Sequence, residues 1–500
     1  MRSITKLLLL GMLWLGTRPA VGFSLQGPLE TWQDGVLNYV SIFTSIKREG
    51  DTYGPMNLGN EYRWGSPVLV YGFDSSFVEY FGPQGVAAVE AAVKILNDLP
   101  GTTEMTPELQ EFPLTATRYN YVAQQLRLRD VKSLALSILL EQMGLACPER
   151  YTWTLRSRTP IPNTQPQQYY FNTIKRNFDP VTWRPSSYVN NTLYTYQIVR
   201  LGDDYFDCQE LAVDVANPNV TVMATSGLQA GVTDPRVKQQ VYGPLSWVAE
   251  GFGLFYTGLT RDDVGGLRYL YRGGNTNWQA APLGSGGSAF STPWGYSGFQ
   301  ILNPNIGSPW TVVGGPLVGA TNGGGVVISS TFVDNGGRGG PQKVNFVRVD
   351  TDPLLGLYLS PVVIRYGETV IDQFGQALRQ IVERPITQPD ILFTAADVGV
   401  DPGVGQSYVY GILNTQATYV SSVPPSFVGV LPPGPGIVEP GIQVIFNKVG
   451  PWIFNITETT EELGVRGFVW GSYDGTTNAP VVYPVGSTLQ EIESTLFRGY

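Results

Sequence analysis

Five hundred residues, 42% hydrophobic and 12% aromatic, are too many for one ordinary core and too apolar for a disordered chain, so two or three domains are expected. The formal net charge of −9, with no dense Lys/Arg cluster, argues against nucleic acid or an anionic membrane surface as partner. The chain has no histidine, which excludes Ser–His–acid and Cys–His catalysis, His-ligated zinc and any imidazole proton shuttle; paired carboxylates, Ser–Lys pairs and oxygen-ligated metals remain.

In chain order, residues 1–22 read as a secretory signal peptide. Arg2 and Lys6 give a basic end, Leu7 to Gly16 an apolar run too short to span a bilayer, and Ala20-Val21-Gly22 a small-x-small cleavage site before Phe23. An α/β domain is expected over 23–275. In it, Pro67 to Phe73 is a strand, and Val86, Val89, Val93 and Leu96 recur at helical spacing after Gly82-Pro83. Val122 to Leu126 is assigned to a second strand. Asp130 then N-caps a nearly all-apolar helix that Gly144 stops and Pro148 forbids from continuing. Its few polar residues, Ser133, Ser137 and Glu141, recur every four positions and form one row.

Tyr151 to Val220 is rich in Thr and aromatics, Trp183 among them, and reads as a strand pair or a packed insertion. Thr260 with Asp263 is capping-box-like and places Val264, Leu267 and Tyr271 on one face of a short helix. A Gly/Ser/Asn-rich connection or cover follows over 276–342, then a mixed β/α segment over 343–425 with strands at Val344–Val349 and Pro361–Tyr366 and an amphipathic helix at Gln373–Val382. Beyond a Pro-rich hinge, short strands at Ile442–Phe446, Trp452–Ile456, Gly467–Trp470 and Pro480–Tyr483 are spaced as in a small β-sandwich-like domain over 437–495. The fold class is therefore multidomain α+β: an N-terminal α/β layer with helices on a sheet, Gly-rich β segments, and a C-terminal β-sandwich-like region.

Cys147 and Cys208 fit an oxidising compartment. As a disulfide they would close a loop of about 60 residues, worth about 4 kcal/mol of chain entropy; two buried thiols are the alternative. Asp203, Asp204, Asp207 and Glu210 form an acidic cluster, but adjacency in sequence does not set two carboxyls across a sugar as a glycosidase needs. Asp397 and Asp401 offer oxygens to Ca²⁺ without the alternating ligands of an EF-hand, and no other cofactor is expected. The glycine runs lack the Lys-Ser/Thr of a phosphate loop. Sequons stand at Asn190, Asn219 and Asn455.

Taken together, the strand ending at Phe73-Asp74, the helix to Leu96, the apolar helix and Leu259-Thr260-Arg261-Asp262-Asp263-Val264-Gly265-Gly266-Leu267 resemble the matrixin type of metzincin protease. That family carries HExxHxxGxxH on its middle helix. Aligning the family's glycine with Gly144 puts Ser137 and Glu141 at the helical ligand positions, Ile138 at the general base and Cys147 at the third ligand. The resemblance implies a zincin-like scaffold in which each catalytic position is replaced, with Glu141 and Cys147 the remaining candidates for a metal.

Glu61-Tyr62-Arg63-Trp64, Asp262 to Leu270 and Trp470 to Pro480 also resemble uncharacterised secreted proteins of Verrucomicrobiota-type bacteria, a likeness that brings no activity with it. The expected role is a secreted or cell-surface non-enzymatic protein, structural, adhesive or ligand-binding, with extracellular protein or glycan as partner. The alternative is a hydrolase without histidine, either a carboxylate glycosidase or a relict metalloprotease.

Overall fold

A computed structural model describes residues 22–28, 52–55, 57–59, 63–146, 148–200, 206–213, 252–280, 332–333, 335–350, 362–386, 389–395, 400–401, 406–407, 444–446 and 469–497. Residues 1–21 of the expected leader, the Pro-rich hinge and Trp452–Ile456 lie outside them, as does most of the Gly-rich 276–342 stretch. The architecture is mixed α+β, built from small sheets and few helices, with no closed barrel among the described residues.

Val68–Phe73, rich in β-branched and aromatic residues and buried over most of its length, is a central strand of a four-stranded parallel sheet. Its order is Asn345–Arg348, Val68–Phe73, Ile391–Phe393, Val444–Phe446. A helix follows over Ser75–Asn97. It begins before the apolar spacing because Asp74 accepts from the Phe77 N–H at 2.9 Å, and Gly82, at φ 58°, lets two helical pieces abut ahead of Pro83. Its Phe77, Phe81, Val89, Val93 and Leu96 are buried, and the helix packs against a second helix, Val131–Gln142.

That second helix is the expected apolar one. Val131, Ala135, Leu136, Ile138, Leu139 and Leu140 are all fully buried. Asp130 caps it through the Ser133 N–H at 3.0 Å, and Gly144 turns the chain away at φ 98°. The carbonyls released at its C-terminus are satisfied from elsewhere: the Trp64 indole donates to Gln142 at 2.8 Å and the Tyr271 hydroxyl to Met143 at 3.1 Å. Arg63, fully buried, donates to the carbonyls of Asn275 and Arg338 at 2.8 Å each, tying the chain before Trp64 to two distant segments.

The late helix, Arg261–Tyr271, has the expected capping box. It is buried on nearly every side, beyond the single face that the spacing predicts. Between these helices, Thr154–Pro160, Tyr169–Ile174, Thr192–Arg200 and Phe206–Ala212 form antiparallel pairs around a second core of Leu155, Ile198 and Cys208, flanked by Trp153, Tyr169, Phe171 and Tyr196.

Two expected elements change type. Val122 to Leu126 is not strand but the helix Tyr121–Gln125, because Asn120 accepts from the Ala123 N–H at 3.0 Å and starts a helical turn; a short apolar run carries no period of its own. Gln373–Val382 is not a helix: Ala377–Ile386 pairs along its whole length with Val362–Ile371 across a turn held by Asp372 and Gly375. Its Leu378, Gln380, Val382 and Arg384 alternate inward, where Gln380 and Arg338 bind Glu368 and Arg384 pairs with Asp390.

Of the strands expected over 437–495, Val444–Phe446 extends the parallel sheet. Val469–Ser472 runs parallel to Leu128–Asp130 and antiparallel to Val481–Val482. No helix among the described residues is long and apolar enough to cross a membrane.

Close packing around the Val131–Gln142 helix sets a measurable cost. Ile138→Ala is expected to lower the unfolding free energy by about 2–5 kcal/mol in urea or thermal denaturation. A loss under about 1 kcal/mol would mean that the helix is not enclosed as described.

Candidate functional site

The polar row on the central helix is built into the fold. Ser133 donates its hydroxyl proton to Asp130 Oδ2 at 2.5 Å and accepts from the Tyr256 N–H at 2.8 Å. Ser137 is 1% exposed and its hydroxyl has no hydrogen-bond partner among the described residues; Ile138, at the general-base position, is fully buried. The side chain of Glu141 and the whole of Cys147 lie outside the described residues. Cys208 is buried in the second core, and the short helix that follows position 147, Pro148–Tyr151, packs against its strand. Asp203, Asp204 and Asp397 lie outside the described residues, as do the side chains of Asp207 and Asp401. No three His, Cys, Asp or Glu side chains converge as metal ligands among those described.

What the structure does bring together is the head of the central helix and the Trp470–Pro480 stretch. Parallel pairing of Leu128–Asp130 with Val469–Gly471 sets Asp130 beside Ser472 and Tyr473, at the carboxyl ends of two strands. The Tyr473 hydroxyl shares its proton between the carbonyls of Leu128 and Leu254, at 3.0 and 3.1 Å, and Ser472 and Tyr483 join hydroxyls at 2.7 Å. Burial holds the Asp130 carboxyl up at about 6 against an ordinary 3.8, with nearby Lys132 and the Ser133 hydrogen bonds pulling the other way. Burial, reinforced by Asp130, pushes the Tyr473 phenol well above its usual 10.0. The Tyr473 main chain also helps hold the Asp130 carboxyl down, and the Trp470 indole N–H has no hydrogen-bond partner among the described residues. Sequence reading found Asp130 through its capping pattern but missed its three tyrosine and serine neighbours, because a parallel pairing across more than 300 positions leaves no local signal.

A second feature lies on the surface. The loop Asp179–Arg184 is closed by Asp179, whose Oδ1 accepts from the N–H groups of Val181 and Thr182 at 2.9 and 2.6 Å and from the Thr182 hydroxyl at 3.0 Å. Trp183 donates its N–H to the Asp179 carbonyl at 2.8 Å and is held at φ 57°, a left-handed conformation that costs a bulky residue about 1–2 kcal/mol. The fold nonetheless leaves the residue 48% exposed. Tyr269 meets it edge-on at 5.3 Å, and the Arg272 guanidinium lies 5.0 Å from its ring. Arg268 anchors the loop from beneath, donating to the Pro180 carbonyl at 3.0 Å and to the Thr106 carbonyl at 2.6 Å. The result is a half-exposed aromatic side chain with a cation over its ring, an aromatic surface of the kind that stacks on apolar ring faces. Of the sequon asparagines, Asn190 is described, and it is buried.

The Asp130 carboxyl gives a pH signature. Its acidity is lower in the folded protein than in the unfolded chain, so its contribution to stability is complete below pH 3.8 and is lost as the pH rises through about 6. From about pH 4 to about pH 7 the unaltered protein should lose on the order of 3 kcal/mol that Asp130→Asn retains. Parallel stability profiles for the two proteins would show that this carboxyl does not titrate there. Comparison with protein-family models, with curated proteins and with solved structures finds no match to this chain.

Proposed function

We propose that the chain is a secreted or cell-surface binding protein without catalytic activity, and that it engages glycans through exposed aromatic side chains. The observation that carries this reading is Trp183: a bulky residue kept in an unfavourable backbone conformation, left half exposed and braced by Tyr269 and Arg272. Strain of this kind persists where the surroundings enforce it, and it concentrates where a side chain must be presented. Tyr170, 68% exposed on the second β layer, and Phe374, 78% exposed at a hairpin turn, are further aromatics open to a partner.

The sequence is consistent with this role through its leader, its lack of imidazole and its low charge. A zincin-like ancestry for the core draws support from the apolar helix and its glycine turn at Gly144. In that reading, protease chemistry went with the helical ligand that Ser137 replaces and the general base that Ile138 replaces. The hydrolase alternative is weaker because the charged neighbour of Asp130 is Lys132 and not a second carboxylate.

A polysaccharide and glycan-array screen of the mature protein tests the reading. Binding should fall at least tenfold in Trp183→Ala, equivalent to about 1.4 kcal/mol, and persist in Ile381→Ala, an exposed aliphatic residue that serves as the control for general stickiness. Absence of binding to every glycan class, or binding indifferent to Trp183, would refute the assignment.

A further inference from the structure

Gly22 stands where the leader is expected to end, and it is buried. Its N–H donates to Asp262 Oδ1 at 2.8 Å, while the N–H of Asn190 donates to Oδ2 at 2.6 Å. Asp262 is 0% exposed, in the first turn of the late helix. Donors at both oxygens suit a carboxylate. The charged groups around it, Asp263 and Glu149, share its sign, and no lysine or arginine among the described residues pairs with it. Burial, reinforced by those like charges, pushes the Asp262 carboxyl well above its ordinary range, so it stays ionised at neutral pH only with a counter-charge.

The polar atoms nearby are incomplete as well. Asn190 is 9% exposed, and neither its amide oxygen nor its amide nitrogen has a partner among the described residues; Ser24 Oγ and Asn177 Oδ1 are in the same state. At position 22 a Cβ would sit 2.5 Å from the Tyr188 carbonyl oxygen, so the pocket takes main chain alone.

We propose that Asp262 is the internal receptor for the α-ammonium group created when the leader is removed before Gly22, so that processing supplies the missing counter-charge and locks the N-terminal strand into the body. The inference rests on the secretion reading above. Hydrolysis by the host's signal peptidase consumes one water: the carboxyl side keeps the hydroxyl, the amine side takes a hydrogen, and a solvent proton makes it ammonium. A cut before Gly22 puts the ammonium nitrogen at the 2.8 Å position itself. A cut after Gly22 removes that donor and leaves the Phe23 ammonium one residue further along the chain. With the cut before Gly22 the strand Phe23–Pro28, held between Leu145–Ala146 and Asn177–Phe178, acquires an ionic anchor just ahead of its first residue.

The test is a double-mutant cycle on the full secreted chain. Intact mass and N-terminal sequencing should give Gly22 as first residue. Asp262→Asn should then raise the unfolding equilibrium constant at least tenfold more in the processed protein than in a leaderless chain carrying Met-Gly-Ser ahead of Val21, where no ammonium can reach the site. Equal effects in the two backgrounds would overturn the receptor while leaving secretion intact. A chain secreted from a different cut site would do the same. An unprocessed chain would overturn the secretion reading together with the inference. Should Asp262→Asn fail to fold, α-amine acetylation of the processed protein supplies the same comparison, with destabilisation expected and indifference decisive against it.

Discussion

The fold is arranged around one constraint: a twelve-residue helix whose side chains from Ser133 to Leu140 are all kept dry. A helix apolar all round cannot rest on a single sheet, so it draws in partners from across the chain. The long helix covers one flank, while Leu254–Tyr256 and Val469–Ser472 close others. Enclosure then raises a polar problem at each end, where carbonyls and N–H groups lose water. The solutions, Asp130 and Ser133 at the start, Trp64 and Tyr271 at the finish, come from three separated segments. Stretches that stand out in the sequence, Arg63-Trp64 and the late helix to Tyr271, thus find their first use in architecture.

The same constraint explains why the polar row leads to no metal centre among the described residues. A ligand helix must open one face to solvent or substrate. Here Ser133 is spent on bonding Asp130 and Tyr256, Ser137 is shut in and Ile138 is core. Chemistry is more readily sought at the periphery, where the Asp179 loop leaves a tryptophan half exposed and accepts backbone strain to do so.

Local signals in the sequence were legible because their physics is local. Asp130, the Thr260–Asp263 box and Gly144 each act within a few residues, and each stands where side-chain chemistry puts it. Strand 68–73 was readable from its β-branched and aromatic run. The failures share a cause. Tyr121–Gln125 and Ala377–Ile386 are short or mixed in pattern, and their type is settled by a cap in one case and a ten-residue antiparallel partner in the other. The aromatic plate was visible only as composition: Trp183 was noticed among many aromatics, but its backbone conformation and its arginine neighbour are facts of tertiary structure.

The pairing pattern has a consequence for how such a chain is made. Strand 68–73 completes its sheet with residues 345–348 and 391–393, and the strand that leads into the central helix waits for residues 469–471. Contacts so distant along the chain close slowly, and on a ribosome they cannot close until translation is nearly finished. The nascent polypeptide therefore stays open through most of its synthesis, which is the condition an export channel for unfolded chains requires. The topology that delays folding also keeps the molecule threadable until its last quarter has been made.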